Sequence, residues 1–196
     1  MNQDTPSSSV GLWIGADPGI SGGLVALDAG GAYLSHLLMP VVGFGTKRKR
    51  VDTQEIRAWV NETSLAAFRT HEAMLNGRTV WAIERVASMP TDGVVQAFRF
   101  GAAAGAIFAS ADWCGDRIEE ISPKSWQRAF LRGYAKGNRE EIKASAALAA
   151  SNRWPKLRPA LKVKKNWGLA DAAFVAETAR VLSHVAQPKA GEAGRG

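Results

Sequence analysis

The chain has 196 residues, 46% of them hydrophobic, enough for one well-buried domain, and neither an internal repeat nor a mid-chain linker divides it. Its formal net charge of +7 and pI near 9.9 come from clustered bases, Lys47-Arg48-Lys49-Arg50, Lys136 to Arg139 and Lys156 to Lys165, a pattern suited to a phosphate backbone. The single cysteine, Cys114, excludes internal disulfides and a Cys-rich zinc site, and the scattered His36, His71 and His184 argue against a zinc hydrolase.

Residues 1–10 are polar and Ser-rich, and residues 187–196 are rich in Gly and Ala, so both are expected to be mobile tails around a domain spanning 11–186. No apolar run is read as reaching the roughly 20 residues of a bilayer span, and the N-terminus lacks the apolar core of a signal peptide. The expectation is a soluble, cytoplasmic protein with no membrane partner.

Leu12 to Ala16, Gly23 to Leu27 and Tyr33 to Met39 predict three successive strands, joined by tight turns at Pro18-Gly19 and Asp28-Ala29-Gly30-Gly31 into an antiparallel meander. Residues 41–50 read as a Gly-rich basic loop. Asp52 and Glu55 fit a capping-box-like start for a helix carrying Ile56, Trp59 and Val60. Val80 to Glu84 is the fourth strand. Val94 to Trp113 reads as a long small-residue helix with Phe98 and Phe100 in its core face, where Gly101 and Gly105 permit close approach of the sheet or, second, of another subunit. Arg117 to Ile121 is a short fifth strand. Ser122-Pro123 supplies an N-cap with proline at the first helical position, Asn138 and Glu141 open an Ala-rich helix, and Asp171 lies near the start of the last one. The predicted order is βββαβαβ followed by helices.

Three acids stand out. The apolar runs Leu12-Trp13-Ile14-Gly15-Ala16 and Val80-Trp81-Ala82-Ile83 end on Asp17 and Glu84, and such runs read as strands buried on both faces. If these strands are parallel neighbours, the two carboxylates sit side by side at one sheet edge. Carboxylates roughly 4 Å apart repel, which raises a pKa or calls for a shared divalent cation. Asp171 falls on one helical stripe with Phe174, Val175, Thr178, Val181 and Leu182, where a buried charge needs a partner. Glu177 and Arg180 fall on another face and read as a solvated pair. Taken singly, Asp17-Pro18-Gly19 is also ordinary turn chemistry, and Asp171 also suits a first helical turn.

The segment Ile14-Gly15-Ala16-Asp17-Pro18-Gly19-Ile20-Ser21-Gly22-Gly23 resembles the opening motif of RuvC-type Holliday-junction resolvases. Ala82-Ile83-Glu84-Arg85-Val86 resembles their second acidic motif, Met89-Pro90 with Phe98-Arg99-Phe100-Gly101 resembles the following segment of the phage-type branch, and Ala170-Asp171-Ala172 resembles the last motif. The likeness runs from about Leu12 to Leu182. It implies an α/β, ribonuclease H-like fold: a five-stranded mixed sheet, three antiparallel strands then parallel strands, flanked by helices.

The resemblance further implies a Mg²⁺-dependent endonuclease, with Mn²⁺ able to substitute, that nicks four-way DNA junctions as a homodimer. Asp17, Glu84 and Asp171 would be its catalytic metal ligands. The bases best placed for branched DNA are Lys47, Arg48, Lys49, Arg50, Lys124, Arg128, Lys136, Arg139, Lys164 and Lys165. Two departures are visible. The further acid usual shortly before the last motif is missing from Lys164-Lys165-Asn166-Trp167-Gly168-Leu169, leaving Asn166 as a neutral candidate ligand, and Ala87 stands where cellular resolvases place an aromatic after the second motif, with Met89, Phe98 or Phe100 as candidate substitutes where the two Phe residues are not helix core. The missing acid makes a weakly active or inactive junction-binding relative the alternative. The Asp-Pro-Gly-Ile-Ser-Gly-Gly segment also resembles the phosphate loop of actin-like and sugar-kinase-like ATPases, but these need a duplicated domain that this chain lacks.

Overall fold

The structure is a computed structural model, and it describes residues 10–44, 48–69, 78–85, 93–113, 117–131 and 138–186. In chain order the elements are β1 (Val10–Asp17), β2 (Gly23–Asp28), β3 (Tyr33–Leu38), β4 (Val41–Phe44), β5 (Arg48–Val51), α1 (Thr53–Arg69), β6 (Arg78–Glu84), α2 (Val94–Trp113), β7 (Arg117–Ile121), α3 (Pro123–Phe130), α4 (Arg139–Arg153), α5 (Arg158–Leu161), a 3₁₀ turn at Lys164–Asn166, and α6 (Gly168–Ala186). Five strands form one mixed sheet in the order β3-β2-β1-β6-β7. β1, β2 and β3 pair antiparallel, and β6 and β7 continue the sheet parallel to β1.

Alternation along the strands sorts the apolar side chains between two cores. On one face Trp13, Val25, Leu27, Val80 and Ala82 meet Trp126 of α3, Ala146 and Ala150 of α4, Leu161 of α5 and Phe174 of α6. On the other, Leu12, Ile14, Leu24, Trp81 and Ile83 meet Ile56 and Val60 of α1 and Ala103, Ile107 and Ala111 of α2. β1 is covered on both sides, as its unbroken apolar run requires. The ring of Phe174 packs against Trp126, Phe130 and Trp154, at centroid distances of 5.8, 5.0 and 5.3 Å, and so ties α6 to α3 and α4.

The caps at Ser122 and Asn138 act as read, whereas Asp52 caps α1 without the reciprocal half of a box, its own N–H donating instead to Pro40 O at 2.9 Å. Asp52 accepts from the backbone N–H groups of Gln54 and Glu55 at 3.0 and 3.2 Å, Ser122 accepts from Ser125 N–H at 3.2 Å, and Asn138 and Glu141 form a reciprocal capping box. Each cap of this kind is worth about 1 kcal/mol.

Several expectations are corrected. Residues 41–50 are not simply a loop: Val41 pairs with Val51, Val42 with Arg50, Gly43 with Lys49 and Phe44 with Arg48 in a separate two-stranded sheet. Glu177 and Arg180 are not a solvated pair. Glu177 is fully buried, receives hydrogen bonds from Arg180 at 2.7 and 2.8 Å, and is also bound by Arg153. The reason is that α6 is sandwiched between the sheet and α3 and α4, so more than one face of it is covered. Its burial ends at Ala179, and Val181 and Leu182 are exposed rather than part of a buried stripe. Phe98 is likewise exposed on α2 rather than in its core. Finally, the 20-residue α2 is long and apolar enough, by length and composition, to cross a membrane, although Ala103, Ile107 and Ala111 pack one of its faces onto the sheet. Of the expected tails at 1–10 and 187–196, Val10 is instead the first residue of β1, paired with Arg78, and the other residues lie outside the described ones.

β1 and α6 touch backbone to backbone at Gly15, where a Cβ would lie 1.9 Å from the carbonyl oxygen of Ala172 and 2.9 Å from Ala176 Cβ. Gly15→Ala therefore forces α6 off the sheet. It is expected to cost about 3 kcal/mol and lower Tm by roughly 6–12 °C in thermal denaturation followed by circular dichroism.

Candidate functional site

Three elements deliver the three acids to one end of the sheet. β1 and β6 run parallel with Ala16 opposite Ile83, so the next residues along each strand are Asp17 and Glu84. α6 begins at Gly168 beside the end of β1 and carries Asp171 in its first turn. All three line a cavity of about 700 Å³. Its walls include Gly19 and Ser21 of the turn after β1, Gln96, Arg99 and Phe100 of α2, Trp126 and Gln127 of α3, and Arg139 and Lys143 of α4.

Glycines cradle Asp17. The backbone N–H of Gly19 donates to Asp17 Oδ1 at 3.2 Å, a Cβ on Gly22 would lie 2.8 Å from the Asp17 carboxyl carbon, and one on Gly168 would lie 2.7 Å from Asp17 Oδ2. Close approach from both sides leaves this carboxylate buried.

The electrostatics record the crowding. Burial raises the pKa of Asp17, partly offset by the charge of Lys143, the Gly19 N–H and the charge of Arg139. Burial and then the charge of Asp17 push Glu84 up to about 7, against the Trp126 indole N–H that donates to Glu84 Oε1 at 2.9 Å. Burial and the charge of Asp17 likewise push Asp171 up to about 7, against Lys143, whose Nζ lies 3.3 Å from Asp171 Oδ2. Lys143 is itself held above its ordinary value: burial alone would lower it, but the charges of Asp171 and Asp17 outweigh burial.

Hard carboxylate oxygens, pressed together and short of positive charge, fit a hard divalent cation such as Mg²⁺ in donor chemistry. Among the described residues no three His, Cys, Asp or Glu side chains are already drawn in around one metal position. The Lys143 ammonium shares the cavity with the acids and is ion-paired with Asp171.

The other sequence-derived candidates are spread more widely. Arg139 lines the cavity, and with Ser21, Lys143, Lys164, Lys165 and Trp167 it also lines an adjoining groove of about 530 Å³. Lys164 pairs with Glu140 at the surface. Lys49 and Arg50 border a second cavity beside α2, with Val95, Phe98 and Arg99. Lys124 and Arg128 are exposed on α3. Arg48 is a β5 residue. Asn166 is buried with its amide donating to Ala160 O at 3.0 Å, and it is not among the residues lining the cavity of the acids. Lys47, Lys136, Ala87 and the Met89-Pro90 pair lie outside the described residues.

Sequence reasoning passed over Lys143, Trp126, Arg99 and Gln96. One signal was available: Lys143 follows Arg139 by four residues on a helix, which puts both on one face.

No protein-family model matches the chain, and no curated protein matches it by sequence. Among solved structures it is similar to Thermus thermophilus RuvC in complex with Holliday junction substrate, with a TM-score of 0.53 and 19% identity over 89% of this chain and 96% of that one. The chain has the RuvC-type fold. A second Thermus thermophilus RuvC structure matches at 20% identity over the same shares of the two chains, with a TM-score of 0.44.

Within this RuvC-type fold the raised carboxyls set a pH dependence. Between about pH 4 and pH 7 the folded protein keeps protons on Glu84 and Asp171 that the unfolded chain has released. Their contribution to stability therefore falls as pH rises through that window and is level above it. Without divalent cations, Asp171→Asn is expected to flatten this dependence and to raise Tm at pH 8 by roughly 2–4 °C, the shift of about 1 kcal/mol in a domain of this size. Mg²⁺ should raise the wild-type Tm at pH 8 and leave it unchanged at pH 5, as read by differential scanning calorimetry.

Proposed function

We propose that the protein is a metal-dependent endodeoxyribonuclease that nicks four-way or other branched DNA junctions in recombination and repair. The observation that carries this reading is the convergence of Asp17, Glu84 and Asp171, from β1, β6 and α6, in one cavity with a basic rim. Asp17, Glu84 and Asp171 are the residues proposed to hold Mg²⁺, or Mn²⁺ in its place, which when bound supplies Lewis-acid activation of water and stabilisation of the leaving oxygen. In the net reaction a water oxygen joins phosphorus, the P–O3′ bond breaks, and the water's proton ends on the leaving oxygen, giving a 3′-hydroxyl and a 5′-phosphate. No side-chain nucleophile is needed. Trp126 fixes Glu84 through Oε1, and the Gly19 N–H fixes Asp17.

Arg99 and Arg139 on the cavity rim, and Lys164 and Lys165 in the adjoining groove, offer a path for a phosphate backbone. The chain's similarity to a RuvC bound to a Holliday junction supports branched DNA as the substrate class. Membership of the phage-type branch is proposed on the Phe98-Arg99-Phe100-Gly101 segment, and the bacterial cytoplasm, nucleoid-associated or phage-infected, as the place of action. A second reading, a junction-binding relative that does not cut, is favoured by the Lys143 ammonium standing against Asp171.

Nicking of a labelled four-way junction against linear duplex, with Mg²⁺, Mn²⁺ or EDTA, separates the two. The expected result is paired, metal-dependent nicks that Asp17→Asn abolishes while junction binding is kept. Nicking by pure Asp17→Asn protein rules the site out, and binding with no cut under any metal establishes the second reading.

A homodimer is proposed through α2. Val94, Phe98, Gly101, Gly105 and Trp113 are exposed, and the first four recur at the four- and three-residue steps of one helical stripe. A two-fold pair of subunits matches the two-fold symmetry of a junction. Phe98→Glu is expected to convert the dimer to monomer in sedimentation velocity and to weaken junction binding by about tenfold or more in a gel-shift titration.

A further inference from the structure

The cavity of the three acids holds a cation of its own. Lys143 is about two-thirds buried, and its Nζ lies 3.3 Å from Asp171 Oδ2. It stands on the first turns of α4, a helix whose start is fixed by the Asn138–Glu141 capping box and whose inner face is packed at Ala146 and Ala150. The ammonium is therefore delivered by a rigid element rather than by a surface chain free to swing away.

The start of α6 is closed to another donor. Gly168 lies one turn before Asp171 on α6, so the two share a face. A Cβ there would be 2.7 Å from both Asp17 Oδ2 and Gly22 Cα, and 2.9 Å from Ser21 O. No side chain, acidic or neutral, fits at the α6 position one turn before Asp171. Among the described residues the cavity is lined by the acids Asp17, Glu84 and Asp171 and the bases Arg99, Arg139 and Lys143. Of these bases only Lys143 is ion-paired with one of the acids among the described residues, and the three carboxylates with its ammonium leave two negative charges, which one divalent cation neutralises. A second divalent cation would leave the inner site strongly positive and would have to displace the ammonium.

We propose that Lys143 is a built-in substitute for a second metal ion: the site takes one divalent cation, and the lysine ammonium supplies the remaining positive charge beside the scissile phosphate. This rests on the nuclease reading and assigns Lys143 a charge-balancing role within it.

The test is a Mn²⁺ titration of the full chain at pH 7.5, followed by calorimetry and by electron paramagnetic resonance, with junction nicking and binding measured in parallel. The wild type is expected to bind one Mn²⁺ per chain. Lys143→Met, which keeps the length and removes the charge, should bind that Mn²⁺ about fivefold or more tightly, because a like charge has gone. It should nick at a rate reduced by about thirtyfold or more while binding the junction within a few-fold of wild type, and Lys143→Arg should recover part of the rate. Lys143→Glu should bind a second Mn²⁺. Two Mn²⁺ per wild-type chain overturns the proposal, as does Lys143→Met protein with unchanged Mn²⁺ affinity or undiminished nicking. The nuclease reading fails by a separate result: wild-type protein that takes up Mn²⁺ and cuts no branched substrate. In that case the stoichiometry and the affinity ratio still decide the place of Lys143.

Discussion

The contact on which the site depends is the one between β1 and α6. At Gly15 the helix backbone occupies the space in which any side chain would stand, with the Ala172 carbonyl 1.9 Å from the position of a Cβ. Asp171 is the residue next to that contact. Bringing the helix this close to the strand is what sets Asp171 beside the end of β1, and Gly168 repeats the device at the start of α6, where a Cβ would meet Asp17 Oδ2 and the Ser21–Gly22 backbone. Gly15 thus acts as clearance for a helix, while Gly19 and Gly22 shape the turn after β1, Gly22 N–H donating to Gly19 O at 2.8 Å. Gly15 cannot be seen as special from its own neighbourhood in the chain, because the atoms it must avoid lie more than 150 residues away.

Gathering the acids this tightly is unfavourable, and the rest of the fold has to hold them. Burial and mutual charge push both Glu84 and Asp171 up to about 7. The opposing terms are few: the Trp126 N–H on Glu84, the Gly19 N–H on Asp17, and the Lys143 ammonium on Asp171. α6 stays in place because its other residues are anchored, through Phe174 among three aromatic rings and through the fully buried Glu177 held by Arg153 and Arg180. Removing one member of such a buried ionic group typically costs 3–5 kcal/mol, so the triad resists the strain at the acidic end of the helix. Trp154 adds a further tie from α4 to the β2–β3 turn by donating to Gly31 O at 3.0 Å.

What could be read from the sequence was local. The two apolar runs ending on Asp17 and Glu84 gave strands, their lack of alternation gave burial on both faces, and the register of β1 on β6 brings the two residues together. Caps at Asp52, Ser122 and Asn138 are likewise local chemistry and were legible. Pairings between distant segments were not. The β4–β5 hairpin hides in a Gly-rich basic stretch because its strands have no apolar alternation to announce them. Glu177 looked solvated because helical periodicity gives the faces of a helix but not how many of them are covered. Lys143 looked like one base among many, since only the fold sets it against Asp171 rather than water.

The fold also joins two regions that the sequence keeps apart. α2 contributes Gln96, Arg99 and Phe100 to the wall of the acidic cavity. Val94, Phe98, Gly101 and Gly105 of the same helix face outward and are exposed. Arg99 and Phe98 are adjacent residues, and both also border the cavity that Lys49 and Arg50 line. Whatever seats itself on the outer face of α2 therefore bears on the helix that carries the cavity wall, over a distance of about one helical turn. A rigid helix transmits such a push as a shift of the whole element rather than absorbing it locally. The proposed subunit contact, the cavity beside the basic β4–β5 pair and the wall of the acidic cavity thus share α2 as a common member.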